Sequence, residues 1–270
     1  MSSYNLQGRR ALVTGGARGL GAGMAQALAQ AGAAVMVADL LESEGRDTAG
    51  IIRSAGGQAS FVRMDVTQEA DWERAVAATI GELGGFDILI NNAGIEVTAL
   101  VTEVEADSLR RMFDVNVVGT LLGMKHALRA MRPGGAAGQG GAIVNVASVA
   151  ATIAFPAIAG YSATKSAVDR ATRVAAAEAG KLGYGVRVNC VYPGLVPTVM
   201  GMQLAGDVVA AGLFPSPEAA VGAIVGETPL GRLGEVADMA DAVVFLCSED
   251  RKSTRLNSSH TDISRMPSSA

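Results

Sequence analysis

Short apolar runs alternate along the chain with longer stretches in which apolar residues recur at helical spacing. The runs read RALVTG, AAVMVAD, ASFVRMDV, FDILINNAG, GAIVNVAS and VRVNCVYPG. After the first run, Leu20, Met24, Leu28 and Ala31 follow one another at helical spacing. The runs are nearly continuous in valine, isoleucine, leucine and alanine, which is typical of strands buried on both faces. Repeated strand–helix units of this kind predict an α/β domain with a doubly wound parallel sheet and helices on both faces.

This patterning stops near residue 250, and residues 251–270 contain almost no hydrophobic side chains. The segment DRKSTRLNSSH resembles the translation of a common short-read sequencing adapter, and SRMPSSA resembles the distal part of that adapter in another reading frame. We therefore expect one domain over residues 1–250 and a non-native, disordered tail over residues 251–270. A natural serine-rich disordered tail is the alternative interpretation.

Composition and charge argue against a membrane or a nucleic acid as the partner of this chain. The chain has 270 residues, of which 49% are hydrophobic, but no apolar run reaches the length of a membrane span, so a membrane partner is not expected. The N-terminal sequence MSSYNLQGRRALVTGG lacks an apolar leader core, which predicts a cytoplasmic location. Residues 1–250 carry 18 basic and 25 acidic residues without a basic stripe, which argues against a nucleic-acid partner. Cys190 and Cys247 are expected to be reduced, structural thiols.

A glycine-rich segment, TGGARGLG at residues 14–21, joins the first predicted strand to the first helix. Gly15, Gly19 and Gly21 would allow a tight turn and a close approach of the backbone to a pyrophosphate, which the helix N-terminus then attracts. Asp39 ends the second strand, where a carboxylate accepts both ribose hydroxyls of adenosine and repels a 2′-phosphate. The sequence therefore predicts a Rossmann-type domain that prefers NAD to NADP. The alternative is that Asp39 caps a helix.

Tyr161 and Lys165 in GYSATKSAV lie four residues apart at the start of a predicted helix, and so on one face. An ammonium beside a phenol stabilises the phenolate and lowers the phenol pKa, and a positively charged nicotinamide ring would lower it further. Such a tyrosine could deprotonate an alcohol or protonate an alkoxide. Taken alone, this pair is also typical of a solvated helix face.

Further segments occur in a familiar order. Ser148 in VNVASVA lies thirteen residues before Tyr161, and Asn116 lies in DVNVVGT. NNAG occupies residues 91–94 and YPGLVPT residues 192–198. With the glycine turn and the Tyr–Lys pair, these segments make residues 6–249 resemble the short-chain dehydrogenase/reductase family, in its single-domain branch of about 250 residues.

The resemblance implies a role for each matching residue. Tyr161 would be the general acid/base, and Lys165 would lower its pKa and hold the nicotinamide ribose. Ser148 would donate a hydrogen bond to the reacting oxygen. Asn116 would anchor a water molecule that links Lys165 to solvent. The structural alternatives are a turn-forming Ser148 and an Asn116 that hydrogen-bonds within its helix.

The family's cofactor contacts fall on residues of five segments besides the Tyr–Lys pair, and no metal site is implied. The matching positions, besides Tyr161 and Lys165, are Gly15, Arg18, Gly19, Leu20, Gly21, Asp39, Asp65, Val66, Asn92, Ala93, Gly94, Pro193, Gly194, Val196 and Thr198. Members of the family usually add a further parallel strand after a segment like FLCSED and assemble as homotetramers. We therefore expect the last strand to be missing here, and a homotetramer in the intact parent.

The substrate is less constrained than the chemistry. The segment after Gly194 lies where the family places a mobile lid, and it is rich in apolar residues, including Met200, Met202 and Phe214. A hydrophobic secondary alcohol or ketone, such as a cyclic alcohol or a hydroxysteroid, fits this lid, although these side chains could equally pack the lid to the body. Glu96 lies near the expected pocket mouth without an assigned role.

Two other functions remain open. A reductase of 3-oxoacyl groups on a carrier protein would use NADP and a basic patch, which Asp39 and the acidic charge balance disfavour. A non-catalytic protein that senses NAD would have a broken catalytic set, whereas this set is complete.

Overall fold

Six parallel strands form one sheet in the computed structural model, which describes residues 4–249. The strand order is β3-β2-β1-β4-β5-β6, which is the Rossmann-type arrangement that the sequence predicted. The strands are β1 (Arg10–Thr14), β2 (Ala34–Asp39), β3 (Ala59–Arg63), β4 (Ile88–Asn91), β5 (Gly141–Val146) and β6 (Val186–Val191). The order reverses between β1 and β4, and ligands of open parallel sheets bind at the carboxyl ends of the strands beside such a reversal.

Nine α-helices connect and cover these strands within the described residues. They are α1 (Gly19–Gln30), α2 (Glu42–Ser54), α3 (Glu69–Leu83), α4 (Ala106–Phe113), α5 (Gly119–Met131), α6 (Ala159–Lys181), α7 (Val199–Ala210), α8 (Pro217–Glu227) and α9 (Val236–Cys247). A π-helical turn, Asp114–Val118, lies between α4 and α5, and short 3-10 turns span Val101–Glu103 and Val149–Ala151. The apolar pattern over residues 105–131 is helical throughout, and the structure divides this region at the π-helical turn.

The side chains of neighbouring strand residues pack into two separate hydrophobic cores, one on each face of the sheet. Val13, Val37, Ile90 and Val144 pack with α1, α2 and α9, whereas Leu12, Met36, Leu89 and Ile143 pack with α3, α5 and α6. Because successive side chains of a strand point to opposite faces, a strand buried on both faces has no polar alternation. The continuous apolar runs of the sequence therefore mark these strands correctly.

Three smaller expectations can be compared with the structure. Cys190 and Cys247 are both free thiols. None of the helices in the described part of the chain is long and apolar enough to cross a membrane. The expected tail at residues 251–270 lies outside the described residues, and β6 forms one edge of the sheet over residues 4–249.

Candidate active site

Hydrogen bonds join the glycine-rich turn to the end of β4, across the point where the strand order reverses. Thr14, the last residue of β1, accepts hydrogen bonds at Oγ1 from the backbone N–H of Asn92 (3.0 Å) and Ala93 (3.1 Å). The Asn92 side chain returns the link, because Nδ2 donates to the carbonyl oxygens of Thr14 and Gly15, both at 3.0 Å. The Asn92 side chain thus holds the backbone of the glycine turn in place, a role that the NNAG motif alone did not indicate.

Two positions of the turn need glycine, one because of its backbone conformation and the other because no space is left for a side chain. Gly15 has a φ of 61°, in the left-handed region. A side chain at Gly21 would overlap the carbonyl oxygen of Gly15. Arg18 precedes α1 with an exposed side chain, and no side chain among residues 4–249 caps this helix. The first N–H groups of α1 therefore keep their capacity to bind an anion.

Asp39 lies beside this turn at the carboxyl end of β2. Its Oδ2 accepts a hydrogen bond from the backbone N–H of Ala17 and its Oδ1 one from Leu41, both at 3.0 Å. The residue that caps α2 is Leu41, so the structural alternative for Asp39, a helix cap, is wrong. Each carboxylate oxygen retains a further lone pair, and the side chain is only half-buried, so the carboxylate can still accept a ligand hydroxyl.

Asp65 and Val66, which follow β3, form the next part of this edge. Asp65 accepts hydrogen bonds from the N–H and the hydroxyl of Thr67, at 2.9 and 2.8 Å, so its carboxylate closes a local turn. Val66 is buried and packs closely against Gly119, where an added Cβ would lie 2.9 Å from the valine side chain. The two residues lie at the edge where the motif predicted them, with structural contacts of their own.

The three predicted catalytic side chains of the β5–α6 region lie together. Ser148 lies two residues after the end of β5, is 8% exposed, and donates from Oγ to the carbonyl oxygen of Pro193 at 3.4 Å. Its hydroxyl also lies close enough to Tyr161, in the first turn of α6, to lower the pKa of the phenol. Lys165, one turn later, is 5% exposed and donates from Nζ to the carbonyl oxygen of Val146 at 2.8 Å.

Burial dominates the ionisation of this pair. Desolvation, together with the nearby charge of Glu96, raises the pKa of Tyr161 to about 12, while the neighbouring Ser148 hydroxyl acts in the opposite direction. Desolvation also lowers the pKa of Lys165 to about 8. The sequence led us to expect that Lys165 would lower the Tyr161 pKa. The structure differs, because Nζ is directed to Val146 and lies over the tyrosine ring, 5.5 Å from its centroid.

Asn116 lies in the π-helical turn and holds the chain that leaves β4. Its Oδ1 accepts a hydrogen bond from the N–H of Ile95 and its Nδ2 donates to the Ile95 carbonyl oxygen, both at 2.8 Å. Nδ2 also donates to Thr164 Oγ1 at 3.0 Å, and this hydroxyl donates to the Tyr161 carbonyl oxygen at 2.7 Å. The side chain thus bonds to other segments rather than within its own helix. Sequence analysis missed Thr164, since nothing but its place beside Lys165 marks it.

Gly94 lies between these groups. An added Cβ there would be 3.2 Å from Asn116 Oδ1 and 3.5 Å from Lys165 Nζ. The backbone of the NNAG segment therefore passes close to the side chains of the lysine and the asparagine.

The segment after β6 brings the remaining predicted cofactor positions to the glycine turn. The carbonyl oxygen of Pro193 accepts a hydrogen bond from the N–H of Val149 at 3.0 Å, and Gly194 follows with open space around it. Val196 is 4% exposed, and Thr198 caps α7 by accepting a hydrogen bond from Gly201. The Thr198 methyl lies 3.6 Å from the position of a Cβ at residue 19, so α7 starts beside the turn. Leu20 instead packs against the core.

The predicted lid corresponds to α7, α8 and their connection. Phe214, in that connection, stacks on Phe155 with ring centroids 6.2 Å apart and planes 10° apart. Met200 and Met202 on α7 are 40% and 48% exposed. Both arrangements that the sequence left open therefore occur, since one aromatic residue packs against the body and two methionines remain accessible. No group of metal-ligating side chains occurs within the described chain.

Comparison with known proteins gives a consistent result. The chain matches the family model for short chain dehydrogenase over residues 9–208. It is 38% identical over 246 residues to trans-4-hydroxycyclohexanecarboxylate dehydrogenase of Sinomonas cyclohexanicum, covering 89% of this chain and 86% of that protein. It is 36% identical over 248 residues to 3-alpha-(or 20-beta)-hydroxysteroid dehydrogenase of Mycobacterium tuberculosis strain H37Rv, covering 92% and 85%.

Among solved structures, NAD+-bound xylitol dehydrogenase superimposes with a TM-score of 0.86 at 28% identity, covering 92% of this chain and 95% of that one. The family that the sequence motifs suggested is thus confirmed by independent matches to the family model, to full-length relatives and to the fold. The chain belongs to the short-chain dehydrogenase family of oxidoreductases.

Proposed function

We propose that the protein is an NAD-dependent dehydrogenase that interconverts a hydrophobic or cyclic secondary alcohol and its ketone, with Tyr161 as the proton carrier. One observation carries this proposal. The half-buried phenol of Tyr161 lies beside the Ser148 hydroxyl, with the buried Lys165 ammonium over its ring, at the edge of the sheet where the glycine turn and Asp39 also lie.

The dinucleotide would be held by the glycine turn, the start of α1 and Asp39. The overlap that a side chain at Gly21 would produce supports a turn shaped for close backbone approach, and the uncapped start of α1 favours the pyrophosphate. Asp39 favours ribose hydroxyls and disfavours a 2′-phosphate, which is the argument for NAD over NADP. When bound, NAD+ would supply the hydride acceptor and a positive charge.

The residues of the chain would move the proton. Ser148 exchanges its weak bond to Pro193 for a bond to the substrate oxygen, which it orients toward the phenol. In oxidation the alcohol proton passes to the oxygen of Tyr161 while the hydride leaves the carbon, and in reduction Tyr161 returns a proton to the ketone oxygen. With a pKa of about 12 in the empty site, Tyr161 is protonated at neutral pH and is ready for reduction. Oxidation requires the phenolate form of Tyr161, and the positive charge of bound NAD+ would favour that form by lowering the phenol pKa.

The substrate class rests on the relatives and on the lid. Two proteins that match over nearly the whole chain are named for a cyclic alcohol and for a hydroxysteroid. The accessible methionines of α7 offer an adaptable apolar surface to such a ring. A homotetrameric assembly remains a prediction from the family resemblance, and a cytoplasmic location remains a prediction from the N-terminal sequence.

A panel of cyclic alcohols and ketones, assayed with NAD and with NADP, tests the proposal. We expect turnover with at least a tenfold preference for NAD. Asp39→Asn keeps a hydrogen-bond acceptor and removes the charge, so it should reduce this preference, while Asp47→Asn on the exposed side of α2 should not. Preference of the unmodified protein for NADP would contradict the proposal, and NADH binding without any turnover would favour a sensor.

A further inference from the structure

The first turn of α6 carries Tyr161, and this turn begins without a side-chain cap. Ile158 precedes the helix, and no side chain among residues 4–249 caps it. The chain enters the helix from Ala157, which has a φ of 65°, a conformation that alanine holds only where its surroundings impose it. The first N–H groups of a helix lack partners within the helix, so an uncapped first turn opens more readily than the turns that follow. The position of Tyr161 therefore depends on contacts with other segments.

Two contacts hold the residues just before this tyrosine. The carbonyl oxygen of Ala157 accepts a hydrogen bond from the N–H of Ala99 at 2.7 Å. Gly160 lies close against α4, because an added Cβ there would be 2.8 Å from Met112 Cε. Both contacts are made by residues that precede Tyr161, so they guide the chain into the helix without holding the tyrosine itself.

A third contact, made by the hydroxyl of Thr164, reaches the tyrosine itself. Thr164 is 0% exposed, and its Oγ1 donates to the carbonyl oxygen of Tyr161 at 2.7 Å and accepts from Asn116 Nδ2 at 3.0 Å. The direction of these bonds is fixed, because Asn116 Oδ1 accepts from the N–H of Ile95 and the amide group that faces Thr164 can therefore only donate. One hydroxyl thus joins the turn of Tyr161 to the π-helical turn, and through Asn116 to the chain that leaves β4.

We propose that Thr164 is a positioning residue for proton transfer, because its hydroxyl fixes the first turn of α6 and thereby the place of the Tyr161 phenol relative to the reacting oxygen. This assignment rests on the dehydrogenase function proposed above, and it adds a residue that acts through the tyrosine. Valine matches the shape of threonine but neither donates nor accepts a hydrogen bond, so Thr164→Val would leave one N–H of Asn116 Nδ2 unpaired and release the turn. A displacement of about 1 Å in a reacting group can lower the rate by about a hundredfold.

The same helix provides a matched control for this substitution. Thr172, two turns further along α6, is also 0% exposed. Its Oγ1 donates to the carbonyl oxygen of Val168 at 2.7 Å and accepts from Asn145 Nδ2 at 2.8 Å, so it makes the same pair of hydrogen bonds away from the tyrosine. Thr164→Val and Thr172→Val should therefore lower the urea midpoint of unfolding by similar amounts, and only Thr164→Val should slow the reaction.

The test measures kcat and KM for cyclohexanol oxidation with NAD, and NADH affinity by fluorescence titration. We expect Thr164→Val to lower kcat by at least about tenfold while KM and NADH affinity stay within about twofold, since the substitution moves the proton carrier and leaves the binding groups in place. Thr164→Ser keeps the hydroxyl, so its kcat should stay within about threefold of that of the unmodified protein, and Thr172→Val should stay within about twofold.

A smaller loss of kcat in Thr164→Val overturns the assignment, and so does a serine variant as slow as the valine variant. An equal loss in Thr172→Val also overturns it, because the effect would then follow from reduced stability alone. If Thr164→Val does not fold, Thr164→Ala and Thr164→Ser, which differ by one hydroxyl group, make the same comparison with the same outcomes. These results leave the dehydrogenase function in place, whereas absence of turnover by the unmodified protein overturns the proposed function and this assignment together.

Discussion

Replacing the buried lysine of the site with methionine is expected to abolish turnover and to stabilise the fold at neutral pH. Lys165 is 5% exposed, and its Nζ donates one hydrogen bond, to the carbonyl oxygen of Val146. Burial lowers the pKa of Lys165 from its ordinary value of 10.5 to about 8. A decrease of this size corresponds to about 3 kcal/mol, at about 1.4 kcal/mol for each tenfold change in the ionisation constant.

The pH dependence follows from the protons bound by the two states. Below about pH 8 the lysine is protonated in both the folded and the unfolded chain, so the full cost of the buried charge is present. Lys165→Met removes that cost of about 3 kcal/mol and loses a hydrogen bond of about 1 to 2 kcal/mol, so the variant should be more stable by about 1 to 2 kcal/mol. Between pH 8 and 10.5 the unfolded chain binds more protons, so the unmodified protein gains about 3 kcal/mol relative to the variant.

Urea unfolding followed by circular dichroism at several pH values between 7 and 10.5 measures this difference. Lys181→Met, at the exposed end of the same helix, is the control and should follow the unmodified protein at every pH. Parallel stability curves for the unmodified protein and Lys165→Met between pH 8 and 10.5 would refute the reasoning, as would a less stable Lys165→Met at pH 7.

Two further predictions concern the glycine turn and the acid beside the phenol. Gly21→Ala places a methyl group on the carbonyl oxygen of Gly15, so the free energy of unfolding should fall by about 1 to 3 kcal/mol, whereas Gly81→Ala, with open space on α3, should raise it by about 0.5 to 1 kcal/mol. Equal urea midpoints for the two variants would contradict this account of the turn. Because the Glu96 charge raises the pKa of Tyr161, Glu96→Gln should shift the acidic limb of the pH profile of kcat/KM for alcohol oxidation to lower pH. A shift to higher pH would contradict the assigned direction.

The sheet was predictable because each strand is buried on both faces, which leaves one continuous apolar run for each strand. The positions of the glycine turn, Ser148 and Tyr161 followed from motif spacing, since parallel strands bring their carboxyl ends to one edge. The division of the helix at Asp114–Val118 did not follow, because apolar spacing continues through the π-helical turn. This turn matters to the site, since it carries Asn116, which fixes the chain after β4.

The pKa values of Tyr161 and Lys165 could not be predicted from the sequence. The spacing of Tyr161 and Lys165 places them on one face of α6, but it does not say how deeply they are buried or where Nζ is directed. In the structure burial and the charge of Glu96 outweigh the effect of the Ser148 hydroxyl, so the tyrosine pKa rises.

The central claim is that Tyr161 transfers the proton in an NAD-dependent alcohol oxidation. Its most direct test is the comparison of turnover and NADH affinity in the unmodified protein, Tyr161→Phe and the control Tyr184→Phe, with cyclohexanol as substrate and fluorescence titration for NADH. The account predicts that Tyr161→Phe lowers kcat by at least about a hundredfold while NADH affinity stays within about twofold, and that Tyr184→Phe keeps both values. Turnover by Tyr161→Phe within tenfold of the unmodified protein would contradict it.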